Sequence, residues 1–182
     1  PWEEVLTIAA PAAERPGAAF RDAHAALAFA GGGDHEAMAK ITSRLRKSAE
    51  EGNSFAREVV LPLVQGIEAF ANEDYTESVR LMEPVFPQLV RVGGSHAQRE
   101  VFEDTMLEAY IRAKQFEKAE DMLRGRLKQR ESVRDNFWMG RVQSAQGQSN
   151  QAHSSFNEAT KGWEAADSTA PEIVALNNLM EV

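Results

Sequence analysis

Residues 107–126 read LEAYIRAKQFEKAEDMLRGR, and two other stretches share their layout: GIEAFANEDYTESVRLMEPV at 66–85 and GRVQSAQGQSNQAHSSFNEA at 140–159. A small or apolar residue opens each window: Gly66, Leu107 or Gly140. Twelve positions on stands Ser78, Ala119 or Ala152, and four later Met82, Leu123 or Phe156. Tyr75 and Phe116 share one turn position. Self-similarity of this kind marks arrays of helix pairs, in which small residues let two helices approach and a large one fills the gap against the next pair. RDAHAALAFAGGGDHEAMAKI, from Arg21, is a weaker first copy. Gln65 stands where the tetratricopeptide pattern has leucine, Gln143 where it has an aromatic, and prolines interrupt the second copy. The spacing predicts an all-α, tetratricopeptide-like helical-hairpin repeat solenoid. An irregular helical bundle is the alternative.

The rest of the chain follows the same period, and no run alternates as a strand would. Trp2, Val5, Leu6 and Ala9 make an apolar stripe, so an orphan helix is expected over 2–9, ended by Pro11. Helix pairs follow at about 18–51, 54–92, 95–130 and 133–165, and a capping helix at about 170–181 with Ile173, Leu176 and Met180 facing inward. All are taken as one repeat domain spanning 1–182. Gly31-Gly32-Gly33 is a strong stop, Asp34 caps the next helix, and Gly52-Asn53 breaks it. Pro62 should kink or divide its helix, and Pro84 and Pro87 should bend theirs. Ser95 and Gln98 form a capping box after Gly93 and Gly94, whose positive φ lets the chain leave the previous helix. With no strand before the glycines, an anion-binding reading of 91–102 is the weaker one.

Composition narrows the chemistry. The chain has 182 residues, a formal net charge of −8 and no cysteine. The acidic balance argues against general nucleic-acid binding. The lack of cysteine excludes disulfides, thiolate zinc sites and a cysteine nucleophile. No apolar run approaches the ~20 residues of a membrane span. The start has no basic n-region and no initiator Met, so the chain reads as a fragment or processed piece.

No constellation of residues points to catalysis, a metal or a cofactor. His24, His35, His96 and His153 lie apart, and His35-Glu36 has no second histidine at zinc-motif spacing. Asp22 and His24 stand two apart on a helix and do not face each other. His24 reads as a hydrogen-bonded core histidine, and Ser54, Ser78, Ser154 and Ser155 as caps or surface residues. Arg124, Arg126, Lys128, Arg130 and Arg134 read as a solvated basic face, with docking of an acidic partner as the minor reading. Phe137-Trp138-Met139 cannot all point inward on one helix.

From Trp2 to about Ala113 the chain resembles the C-terminal part of the tetratricopeptide repeat protein 38 family. The matching stretches are WEEV at 2–5, FRDAH at 20–24, LPL at 61–63, Pro84 and, most specifically, VGGSHAQREVF at 92–102. The resemblance implies a cytoplasmic helical-repeat protein whose N-terminal part is absent here. It supplies no catalytic residues.

The reading that follows is a non-enzymatic protein–protein interaction scaffold without cofactor. Counted from the repeat register, its inner face carries Ile67 and Phe70, which other protein should cover. The partner surface is then expected at Asp104, Glu108, Ile111, Arg112, Phe137, Arg141 and Ser144. The expected partner is a protein or peptide segment, or the missing N-terminal region, but neither nucleic acid nor membrane. A weak homodimer through Trp2–Ala9 is also expected. The alternative is the accessory or regulatory part of an enzyme whose chemistry lies upstream.

Overall fold

The computed structural model describes residues 2–180. Among the described residues the chain is all-helical, with no strand. It divides into two compact units, one up to Ala113 and one from Lys114.

The first unit holds α1 (Trp2–Glu14), α2 (Ala19–Gly32), α3 (His35–Glu50), α4 (Leu61–Ala71), α5 (Tyr75–Met82) and α6 (His96–Arg112). A single π turn, Ala56–Val60, leads into α4, and a 3-10 segment, Glu83–Val92, extends α5. The prolines explain both departures. Pro62 has no N–H to continue a helix from upstream, so it sits in the first turn of α4, where that N–H is not needed. Pro84 sits likewise in the first turn after Met82 and Pro87 lies inside the 3-10 segment, where the chain tightens instead of stopping.

Pro11 behaves differently from expectation. It lies inside α1, which continues to Glu14 rather than stopping near Ala9. The last turn is held from outside: Ala12 and Ala13 are buried, and Glu14 pairs with Lys40 and Arg44 of α3. Tertiary contact outweighs the one backbone bond that proline removes.

The second unit holds α7 (Phe116–Gln129), α8 (Val133–Ala145), α9 (Ser149–Gly162) and α10 (Pro171–Met180). Leu176 of α10 is buried and Ile173 half-buried. The Met180 side chain, expected to face inward, and residue 181, the expected end of the capping helix, fall outside what the structure describes.

One turn recurs in both units. Gly33, Glu73, Lys114 and Gly147 take φ of 70, 61, 58 and 75°. Glu73, Lys114 and Gly147 each stand seven residues after Gly66, Leu107 or Gly140, the residues that open the aligned windows, and Gly33 ends the first helix of the weaker copy. After three of the four turns the next amide reaches back five residues, as in a helix-ending Schellman turn. Asp34 N–H donates to Phe29 O, Asp74 to Ala69 O and Gln148 to Gln143 O, each at 2.9 Å.

Packing recurs inside two of the hairpins as well. A Cβ placed on Gly66 would come within 2.3 Å of Met82 Cγ, and one on Gly140 within 2.4 Å of the Phe156 ring. The opening residue is small because the large residue of the partner helix lies directly on it. In the first unit α1 packs on α2 and α3, α2 on α3 and α4, and α4 on α5 and α6. In the second α7 packs on α8, α8 on α9, and α9 on α10. The first core includes Phe29, Ile41, Leu63, Ile67, Met82 and Phe102; the second gathers Phe137, Phe156, Ala159 and Leu176.

Candidate functional site

The residues expected to form the partner surface fall into two groups, one in each unit. In the first, Asp104, Glu108 and Ile111 are half-buried along α6 and Arg112 is exposed at its end. These positions lie three or four apart, so they share a helix face. Arg112 Nε donates to Glu108 Oε1 at 2.7 Å, and the guanidinium stands 6.0 Å from the Tyr75 ring centre. Tyr75 meets Phe70 edge-on at 5.4 Å. Ile67 is buried, as expected, while Phe70 remains half-buried. The result is a mixed-charge surface with an aromatic base.

In the second unit the expectation needs a correction. Phe137 is not an accessible anchor: it is only 4% exposed and packs against Phe156 and Trp163, with ring centres 6.3 and 5.6 Å away. Helical rotation puts Phe137 and Met139 into the core and leaves Trp138 partly exposed between them. Arg141, one turn on, lies over the Trp138 ring at 4.5 Å. This stacking is a cation–π contact that keeps the guanidinium in place. Ser144 is exposed beyond it on α8. Tyr75 and Trp138 are thus functional candidates that register counting missed. The one signal for Trp138 was that three adjacent large residues cannot all be buried.

The basic run also needs correction. Arg126 is not a solvated charge. It bridges α7 to α8 by pairing with Asp135, with Nη2 to Oδ1 at 2.9 Å and side chains 10% and 0% exposed. Ser132 caps α8 by accepting from the Asp135 N–H at 3.1 Å. Arg124 pairs with Glu120 on its own helix.

The remaining polar groups serve the fold. Asp22 is fully buried; Oδ2 accepts from Gly17 N–H at 2.6 Å and Oδ1 lies 3.3 Å from Arg21. Burial raises its carboxyl above the ordinary aspartate value, against the opposing Gly17 and Arg21 contacts. The cavity beside it is about 40 Å³, room for water rather than a metabolite. His24 does not face Asp22. Its ring nitrogens approach Phe20 O at 2.7 Å and Gln98 O at 3.2 Å. Tyr110 donates its hydroxyl to Glu83 at 2.9 Å, and burial together with that carboxylate lifts the phenol far above its usual range.

The glycine stretch is a cap. Ser95 Oγ accepts from Gln98 N–H at 3.3 Å and Gln98 Oε1 accepts from Ser95 N–H at 2.8 Å. Arg99 donates to the carbonyls of Gly93 and Gly94, and Arg91 lies 4.8 Å over Phe55. The two arginines beside this helix start are turned onto the protein. The stretch also docks on α2: a Cβ on Gly94 would strike the Phe20 ring at 2.3 Å, and His24 stands edge-on to Phe102 at 5.0 Å. FRDAH and VGGSHAQREVF, 74 positions apart at the His24–Gln98 bond, therefore form one contact.

Among the described residues no three His, Asp or Glu side chains converge to hold a metal, and no helix is long and apolar enough to cross a membrane. No family model matches the chain, and no solved structure matches it.

Proposed function

We propose that this chain is a tetratricopeptide-like helical-hairpin solenoid that acts as a non-catalytic scaffold and binds a peptide or partner segment. The observation that carries the reading is the recurring left-handed turn at Glu73, Lys114 and Gly147, at one fixed offset in three copies, with a like turn at Gly33 in the weaker first copy. An irregular bundle has no reason to repeat its turn at the same offset. The glycine–large-residue contacts of Gly66 with Met82 and Gly140 with Phe156 support it too. The meeting of FRDAH with VGGSHAQREVF supports kinship with the tetratricopeptide repeat protein 38 family, because two of the matching stretches, one of them the most specific, serve one interface. That kinship carries the further proposal of a cytoplasmic protein.

We propose a partner surface in each unit, on the first helix of a pair: Asp104, Glu108, Ile111 and Arg112 on α6 in the first, and Trp138, Arg141 and Ser144 on α8 in the second. Each group sets an arginine over an aromatic ring. Such a surface suits a peptide, whose side chains meet the ring while its backbone and charges meet the polar rim. A small metabolite would instead favour a closed, mostly apolar pocket.

Peptide display on the purified chain tests this reading. Selected peptides should bind with a Kd that Trp138→Ala and Arg141→Glu each weaken, by on the order of 1–2 kcal/mol for a central anchor. Both variants should keep the parent's circular dichroism. Peptides whose Kd is unchanged in these variants and in Arg112→Glu would place the binding surface elsewhere.

A further inference from the structure

In the first unit, the second helix of one pair and the first helix of the next leave a slot between them. α2 occupies the slot between α3 and α4, and α4 occupies that between α5 and α6. α1 and α2 form a slot of the same kind, and it stands open as an apolar groove of about 310 Å³. Its walls include Val5 and Ile8 of α1 and Phe20, Ala25 and Ala28 of α2, with Arg21 beside them. The filled slots show what shape this one takes: a helix presenting apolar and small residues.

α1 is itself such a helix. Trp2, Val5 and Ile8 are 49, 41 and 81% exposed, and their spacing makes one ridge. Ridge and groove lie on the same face of the molecule, as a two-fold interface requires. We propose that α1 of a second copy fills this slot, each copy giving the other the helix its groove accepts. In this isologous dimer the two α1 helices run antiparallel, and Val5 and Ile8 of each enter the groove of the other.

Charge supports that direction. α1 and α2 run antiparallel within a copy, since Trp2 packs on Gly31 at the far end of α2. Arg21 therefore lies beside the C-terminal half of its own α1. An antiparallel α1 from the second copy brings its first turn, with Glu3 and Glu4, to that end of the groove. Arg21 keeps 48% of its side chain exposed there. A parallel helix would leave those carboxylates beside Trp2, Glu3 and Glu4 of the first copy, at the end away from Arg21. The contact is one short helix per copy, below the ~1,000 Å² of a stable interface, so the dimer is weak. It does not depend on the partner surface proposed above.

Sedimentation of the full chain from about 10 μM to about 1 mM tests the proposal. The parent should pass from monomer to dimer within that range. Ile8→Arg, at an exposed position that leaves the monomer fold alone, should weaken association by about ten-fold or more. Glu4→Arg should weaken it by a smaller factor, by facing Arg21 with a like charge. Val90→Arg replaces an exposed valine, 65% accessible and not among the residues that line the groove, and should change nothing. Far-UV circular dichroism checks that each variant is folded. A parent that stays monomeric throughout, or Ile8→Arg associating like the parent, overturns the proposal. Equal loss in Val90→Arg and Ile8→Arg does so too, since it marks general stickiness. A monomeric parent whose groove instead accepts an unrelated amphipathic helix assigns the slot to another occupant and likewise overturns it.

Discussion

Gly66 in α4 and Gly140 in α8 hold the same place in their hairpins, yet they meet different neighbours. Over Gly66 lies Met82, a fully buried but unbranched chain that re-rotates more readily than a ring, although its Cγ moves only with the whole side chain. Over Gly140 lies the ring of Phe156, in a cluster with Phe137 and Trp163. The turns differ in the opposite sense. The first hairpin bends through Glu73, a side-chain-bearing residue at φ 61°, while the second bends through Gly147 at 75°. The first hairpin thus has a forgiving interface and a strained turn, the second a demanding interface and a relaxed turn. What recurs between the copies is a shape, and each copy meets its cost in a different place.

The same contrast holds for buried acids. Each unit buries an aspartate completely: Asp22 in the first, Asp135 in the second. Asp135 is matched by a nearly buried arginine, Arg126, from the neighbouring helix. Asp22 is matched mainly by a backbone N–H and by a half-exposed Arg21. Removing the arginine should therefore hurt one unit far more than the other. Arg126→Ala strands a charge in the interior and should cost about 3–5 kcal/mol. Arg21→Ala loses a largely solvated partner and should cost less than about 1 kcal/mol. Urea unfolding of the two variants measures both. Equal losses would erase the distinction drawn between the acids.

The glycines come next in size. Gly140→Ala forces a methyl against the Phe156 ring and should destabilise by about 1–3 kcal/mol, even after the gain in helix propensity. Gly66→Ala should lie within about 1 kcal/mol of the parent, because Met82 can move. Thermal unfolding in parallel decides between them. A larger loss at Gly66 would mean that methionine is the more rigid filler.

How much of this could be read beforehand depended on how local the cause is. The hairpins, the Gly33 stop, the Asp34 cap and the Ser95–Gln98 box write their reasons into a few adjacent residues, so they were legible. The fate of Pro11 was not, because it rests on the burial of Ala12 and Ala13 and on the Glu14 pairs with α3. Phe137 and Trp138 could not be told apart by period alone, since a rotation of one residue exchanges their roles. Arg126 looked like one more member of a basic run, and only the approach of α8 gives it Asp135. The surface residues on α6 were legible as a helix face, but the Tyr75 ring beneath Arg112 comes from another helix.

A smaller effect tests the turns. Glu73→Gly should stabilise the protein by up to about 1 kcal/mol, since glycine takes a left-handed φ without the Cβ clash and loses part of that gain to its freer unfolded chain. Gly147→Ala introduces the clash and should destabilise by a similar amount. Two changes of the same sign, read as urea midpoints, would contradict the view that the first hairpin carries its strain in the turn.

The smallest effect is a slope with pH, and it concerns Asp22 alone. Burial is the leading influence on this carboxyl and raises it above 3.8, with the Gly17 N–H and Arg21 pulling the other way. The folded state therefore holds the proton more tightly than the unfolded chain does. The stability that comes from this preference is fully present below 3.8, and it is lost as pH rises through the raised folded value. Asp22→Asn keeps an oxygen to accept from Gly17 and has nothing to ionise, so it lacks this slope. Stability of the parent minus that of the variant cancels the other carboxylates, which the two proteins share. That difference should fall as pH rises from below 3.8 toward neutrality, the parent losing ground to the asparagine variant. Urea midpoints at a series of pH values give it directly. A difference that rises instead would show that Arg21 and the Gly17 N–H outweigh burial, making Asp22 as well matched in its unit as Asp135 is in the other.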